Sequence, residues 1–156
     1  MTCKEELLLC FDQVAEHPEE SVALALKGVT EEESWYQHPA YSMEEREAEH
    51  PPSGSILWYV VHLADCYTWY KALILTRPER PDYLPVPEIK NLSDGIATMK
   101  SCRADLRECF ATLQDEAFED LLSNGRSISD QLRMIIRHDA WHGGQIAVAK
   151  RLARYK

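Results

Sequence analysis

The chain has 156 residues, 17 of them Lys or Arg and 26 Asp or Glu, for a formal net charge of -9. With 45% hydrophobic and 28% charged residues it is neither a disordered acidic tail nor a fibrous sequence, and the length suits a single domain over 1–156 with a full core. So acidic a chain repels a phosphate backbone, and nucleic acid is not an expected partner.

The charge is uneven: residues 1–50 sum to -10, residues 51–125 to -4 and residues 126–156 to +5. The basic end comprises Arg126, Arg133, Arg137, Lys150, Arg151, Arg154 and Lys156. In the last turns of a helix such cations complement the carbonyl end of the dipole, with the acidic N-terminal segment as counter-charge. Five cysteines, Cys3, Cys10, Cys66, Cys102 and Cys109, form no Cys-x-x-Cys pair, which excludes a disulfide framework and a thiolate zinc knuckle. The first thirty residues carry Glu5, Glu6, Asp12, Glu16, Glu19 and Glu20 in place of a basic start and apolar core. No signal peptide is expected, and a reducing cytoplasm is the expected location.

Leu7, Leu8, Phe11, Val14 and Ala15 recur at helical spacing and predict a first helix over Lys4 to Glu16. Pro18 kinks or restarts it, helix continues over Glu19 to Lys27, and Gly28 is the expected stop. Thr30 followed by Glu33 is a capping-box pattern opening one short turn through Trp35. Gln37 to Gly54, with an acidic stretch from Glu44 to Glu49, reads as a long surface connection or lid. A second main helix runs from near Ser55 to Thr76. Its segment Ile56 to Leu75 approaches membrane-like apolarity, but Asp65 at its centre costs roughly 2.5 to 3.5 kcal/mol in a bilayer. It is better read as a helix buried in a core.

Pro78, Pro81, Pro85 and Pro87 then make an extended crossover. A third helix is predicted over Ser93 to Leu113, with Leu92, Ile96, Met99, Leu106, Phe110 and Leu113 in a four-three seam interrupted at Arg103. Asp115 to Ser123 is a short helical or irregular piece, and Asn124-Gly125 a turn. Ser127 and Asp130 form another capping-box pattern before a last helix to Arg154, whose inward stripe is Ile128, Leu132, Ile135, Ile146, Ala149 and Leu152 or Ala153. No segment reads as a strand. Four main helices joined by long crossovers imply an all-α four-helix bundle.

The most informative peptide is His138-Asp139-Ala140-Trp141-His142. Imidazoles at i and i+4 lie one turn apart on one helix face, a spacing that lets both bind one metal ion. The stripe through Leu132 and Ile135 leads onto both histidines, so they point toward the core. Gly143 and Gly144 cost helix stability, and the close approach of a neighbouring helix would account for them. Buried histidines also occur simply hydrogen-bonded, but His62 lies midway along the apolar second helix and needs a partner there. Three histidines from two helices then make a facial set with open positions for water or substrate.

Around these, Cys66 reads as a small core hydrophobe, a fourth ligand or a nucleophile. Asp65 and Asp139 either orient imidazoles or tie helices together through Arg133 or Arg137. Gln145 makes a core amide contact or faces the open metal position. Trp58, Trp69 and Trp141 fill the core or wall a pocket. His17, His38 and His50 read as solvated. No Ser-x-x-Lys, G-x-S-x-G, Walker or dinucleotide glycine pattern occurs.

His62-Leu63-Ala64-Asp65, the stretch from His138 through His142 to Gly143-Gly144-Gln145-Ile146, and Gly28 to Glu33 with Trp35 resemble the DinB-like family of metal-binding four-helix bundles. The resemblance implies a divalent metal on a His triad, which maps here onto His62, His138 and His142. Some relatives are thiol-dependent transferases or isomerases. The expectation is a metal-dependent enzyme activating a water or thiol, of thiol transferase or hydrolase type. The alternative is a non-catalytic, metal-stabilised bundle linked to stress or serving as a homodimeric interaction module. The expected cofactor is zinc or nickel, with iron, manganese and copper as alternatives. A small-molecule or thiol substrate and a second copy of the chain are the expected partners; a membrane is not.

Overall fold

A computed structural model describes residues 2–39, 51–82 and 84–155. Among them are six α-helices: α1 (Cys3–Glu16), α2 (Val22–Leu26), α3 (Glu31–Trp35), α4 (Ile56–Thr76), α5 (Leu92–Thr112) and α6 (Ile128–Arg154). A 3-10 turn spans Asp115–Glu119, and no strand occurs among the described residues. The acidic stretch of the 37–54 connection and His50 lie outside the described residues.

Local side-chain chemistry starts these helices. Thr2 and Glu5 form a reciprocal capping box on α1, as do Thr30 and Glu33 on α3. Ser55, Asn91 and Ser127 each accept a backbone N–H from three residues on, at α4, α5 and α6. At α6 only half of the expected box forms, because Asp130 turns its carboxylate to Arg133, 3.1 Å away. The helix expected over 19–27 shrinks to α2. The restart falls at Ser21 and not at Pro18: Ser21 caps α2 by accepting from Leu24 N at 3.1 Å, and residues 18–21 form bends. Gly28 follows the end of α2 with φ +70°, a backbone that favours glycine.

The four long helices form a four-helix bundle in which α4 packs against α5 and α6, and α1 against α5 and α6. Contacts along the helices fix their directions. Gly95 faces Leu57 and Val60, Thr68 reaches Cys102, and Lys71 pairs with Asp105, so α4 and α5 run parallel. The proline-rich segment 77–91 must therefore return the length of the bundle, and Asp65 tethers it midway by accepting Val86 N at 3.2 Å. Lys4 reaches the carbonyls of Ala111 and Leu113 while Asp12 pairs with Arg107, so α1 is antiparallel to α5. Tyr59 meets His142 while Tyr70 meets His138, so α4 is antiparallel to α6.

The core joins Leu7 and Phe11 of α1, Val60, Leu63, Ala64 and Tyr67 of α4, Met99, Leu106 and Phe110 of α5, and Ile128, Leu132, Ile135 and Ile146 of α6. At the end of α6, Lys150 donates to the carbonyls of Ala25 and Lys27, and Arg154 donates to Gly28 O and pairs with Glu33 at 2.7 Å. These cations meet the C-terminal carbonyls of α2 and the acidic N-terminal third of the chain, as the charge distribution suggests. No described helix is long and apolar enough to cross a membrane.

The helical glycines differ in what surrounds them. α2 does approach Gly143, but its nearest atom, Val22 Cγ2, would lie 3.5 Å from an added methyl, while Gly144 faces open space. At Gly95 a methyl would lie 3.1 Å from Leu57 Cδ1 and Val60 Cγ1 and 3.2 Å from Ile89 Cγ2, and all three neighbours are buried. Gly144→Ala is expected to stabilise the fold by about 0.5–1 kcal/mol through helix propensity. Gly95→Ala should destabilise it by about 1 kcal/mol, because overpacking outweighs that gain. Urea unfolding of the two variants checks both signs.

Candidate metal centre

Helical spacing sets His138 and His142 one turn apart on α6, and the antiparallel packing of α4 delivers His62 to the same point. The three Nε2 atoms converge. His138 Nε2 lies 3.0 Å from His142 Nε2 and 3.3 Å from His62 Nε2, and the ligand atoms of the set all lie within 4.8 Å of one another. His142 is buried, whereas His62 and His138 are half-buried. Trp58 stacks on His62 with ring centroids 5.1 Å apart, and Trp141, itself 65% exposed, stacks on His142 at 5.4 Å. Of Trp58, Trp69 and Trp141, the first and last thus wall the imidazoles. No ring contact joins the half-buried Trp69 to them among the described residues.

Proton placement makes this cluster chemically informative. Burial pushes all three imidazoles below their ordinary pKa, His138 and His142 to about 4, and neighbouring imidazoles add to the effect on those two. All three are therefore neutral near pH 7, each with one N–H and one lone pair. His138 Nε2 faces two other Nε2 atoms and can donate a proton to only one of them. A cation among the three lone pairs removes that conflict and moves the protons to Nδ1. The Nδ1 atoms of His138 and His142 are buried without a hydrogen-bond partner, as is Gln145 Oε1. Gln145 stands beside His142 and favours its protonated form, so its oxygen is suited to accept from a protonated His142 Nδ1. The donor set fits a divalent ion.

Cys66, one turn beyond His62, places Sγ 3.6 Å from His62 Nε2. Burial raises its thiol to about 11, so it is protonated in the metal-free protein. Tyr70 lies beside both Cys66 and His138, its hydroxyl likewise pushed up by burial.

Asp65 and Asp139 differ from both sequence expectations. Asp65 holds the crossover at Val86, and neither aspartate pairs with Arg133 or Arg137. Asp139 is fully buried and faces Arg103, with Nε 3.8 Å from Oδ2. Arg103 occupies the gap in the α5 seam, its guanidinium 3.8 Å from the Phe11 ring centroid and bonded to Phe11 O. Burial raises Asp139 to about 7, against the opposing pull of Arg103 and of the Tyr67 hydroxyl. Sequence reasoning missed Arg103; its signal was a cation at a core position of the heptad-like seam. Two grooves of about 940 and 1040 Å³ flank α2, one reaching Asp139 and the other Arg103 and Tyr67. Neither is lined by the imidazoles.

A helical bundle with a three-imidazole cluster between two of its helices is the class that this geometry defines. The sequence model of the DinB superfamily matches residues 13–146, and the chain belongs to that superfamily. No curated protein sequence matches the chain.

The imidazole shifts set a pH dependence for the metal-stripped protein. Folded-state values lie below 6.5, so the unfolded chain takes up protons first as pH falls. Stability from these groups is complete above about 6.5 and is lost toward pH 4. Asp139, raised to about 7, acts oppositely: its contribution is lost as pH rises from its ordinary 3.8 toward 7. Thermal midpoints measured from pH 8 to 4 should therefore fall more steeply in Asp139→Asn than in the wild type, and less steeply in His138→Gln. Parallel profiles for wild type and His138→Gln would contradict the assignment.

Proposed function

We propose that the protein is a divalent-metal protein whose ion is held by His62, His138 and His142 and activates a thiol or a water. The observation that carries the reading is the double approach to His138 Nε2, at 3.0 and 3.3 Å, of two other neutral imidazole nitrogens. Hydrogen bonding alone satisfies one of those approaches, whereas a cation satisfies both. Imidazole donors suit zinc and nickel, with iron, manganese and copper also accommodated.

When bound, an ion on three imidazoles lowers the pKa of a water or thiol in a remaining position, producing a nucleophile near neutral pH. The chain's own groups prepare the place. Burial keeps the imidazoles unprotonated and available as donors. Trp58 stacks on His62 and Trp141 on His142, so each of these imidazoles has an aromatic neighbour. His62 and His138 are only half-buried. A small thiol suits such a wall, since its sulfur also gains from aromatic edges.

Protein purified without a histidine tag should carry one divalent ion per chain by elemental analysis. His62→Ala and His142→Ala should each lose it while keeping the helical circular dichroism of the wild type. Retention of stoichiometric metal in either variant would remove that residue from the ligand set. The activating role is checked on the Co(II)-loaded protein: added small thiols or anions should shift its visible absorption bands. Bands indifferent to every such addition would leave the ion a purely structural role.

A further inference from the structure

We propose that Cys66 is a fourth ligand of this ion, so that the centre is a three-imidazole, one-thiolate site; the assignment rests on the metal reading above. Cys66 and His62 are four residues apart on α4 and share one face of the helix. Its Sγ lies against the flank of the His62 ring, 3.6 Å from Nε2 and 4.0 Å from Nδ1, so that a turn of the Cys66 side chain brings it to an ion bound at Nε2.

Two of the donor spacings match a common centre, and the others require the side chains to shift when an ion binds, since His138 and His142 stand 3.0 Å apart, the triad's ligand atoms spread to 4.8 Å and the sulfur lies 4.0 Å from His62 Nδ1. Tetrahedral zinc, with bonds of about 2.0–2.1 Å to nitrogen and 2.3 Å to sulfur, separates its nitrogens by about 3.3 Å and sulfur from nitrogen by about 3.6 Å. The observed His62–His138 separation is 3.3 Å and the Cys66–His62 separation 3.6 Å. The other cysteines are engaged elsewhere. Cys102 receives the Thr68 hydroxyl, Cys109 is buried among Leu106 and Phe110, Cys3 is approached by Arg133, and Cys10 lies on α1. Cys66 forms no disulfide.

Ligation replaces the S–H bond by a sulfur–metal bond and releases one proton to solvent, leaving the ion's oxidation state unchanged. A thiolate favours borderline and soft ions such as zinc, cobalt and nickel over magnesium, calcium and manganese. It also fills one of the positions that the imidazoles leave open. An incoming substrate thiol then enters either as a fifth ligand or by exchange with the Cys66 sulfur.

Co(II) reports both parts of this assignment separately, because its visible bands register any bound ion and a near-ultraviolet charge-transfer band registers sulfur. The full-length, metal-stripped protein is titrated with Co(II) in a phosphine reductant, alongside Cys66→Ser, Cys66→Ala and Cys102→Ser. Expected are visible bands in all four, and a near-ultraviolet band in wild type and Cys102→Ser that is lost in both Cys66 variants. Circular dichroism establishes that those variants are folded. Cobalt bound without the sulfur band in wild type, or a sulfur band surviving in the Cys66 variants, overturns the fourth ligand and leaves the triad standing. No cobalt bound by wild type overturns the metal reading itself, and the ligand assignment with it.

Discussion

The convergence of three neutral imidazoles on one point between α4 and α6 is the constraint to which the rest of the site answers. Beyond edge-to-face contact, neutral imidazoles bond to one another through a shared proton, and His138 Nε2 has two neighbours for one such bond. The arrangement therefore depends on the apolar packing around it. Leu63, Ala64 and Tyr67 on α4, and Ile135 and Ile146 on α6, are buried and fix the register of the two helices. Dense packing resists the small adjustments that would relieve the crowding. A rigid surround of this kind is what would hold three imidazoles preorganised for an ion.

A second polar layer lies beside the first with the opposite electrostatic character. Asp139 follows His138 directly in sequence, yet its carboxylate turns toward Arg103 and Tyr67 rather than to an imidazole. Burial raises the pKa of a carboxylic acid and lowers that of an imidazole, so both layers move toward neutrality as they leave water. Arg103 offsets part of the cost at Asp139 through the ion pair, and its own burial is eased by the Phe11 ring. This layer joins α1, α5 and α6 and, through Tyr67, α4, while the imidazoles join α4 to α6. Together the two layers link all four long helices through side chains on α6, which explains why its 27 residues carry so much polar matter on an inward face.

Periodicity and caps made most of the bundle readable from sequence. The ends of α4 and α6, the Thr30–Glu33 box and the bend at Gly28 depend on neighbours within four residues, and such signals survive without tertiary information. The same holds for His138 and His142, whose spacing alone places them on one face. His62 was legible for another reason: an imidazole in an apolar helix has few alternatives to a polar partner. What sequence did not disclose depends on pairing across helices. Arg103 looked like an interruption of the α5 seam because its partner, Asp139, is 36 positions away in the chain. Asp65 looked like a neighbour of the imidazoles, but the return of the 77–91 crossover supplies it with Val86 N. The expected 19–27 helix is longer than α2 because the chain re-enters helix at the Ser21 cap, which accepts Leu24 N–H, and not with Pro18 as a first helical residue.

Separability of site and scaffold follows from these same contacts. Every long helix begins at its own capping side chain, and the core clusters Phe11 with Phe110 and Phe118 without any imidazole. The bundle's cohesion thus has sources independent of the histidines, and an ion would add to stability without being a condition of folding. The converse dependence is strict. The triad exists only where antiparallel α4 and α6 meet at this register, and a shift of one residue on either helix turns a histidine through about 100° and away from the others. The scaffold can therefore carry different side chains at the rim while the meeting point stays fixed. In this chain that rim holds Trp58, Cys66, Tyr70 and Trp141, and their chemistry, more than that of the imidazoles themselves, would decide what could approach an ion held there.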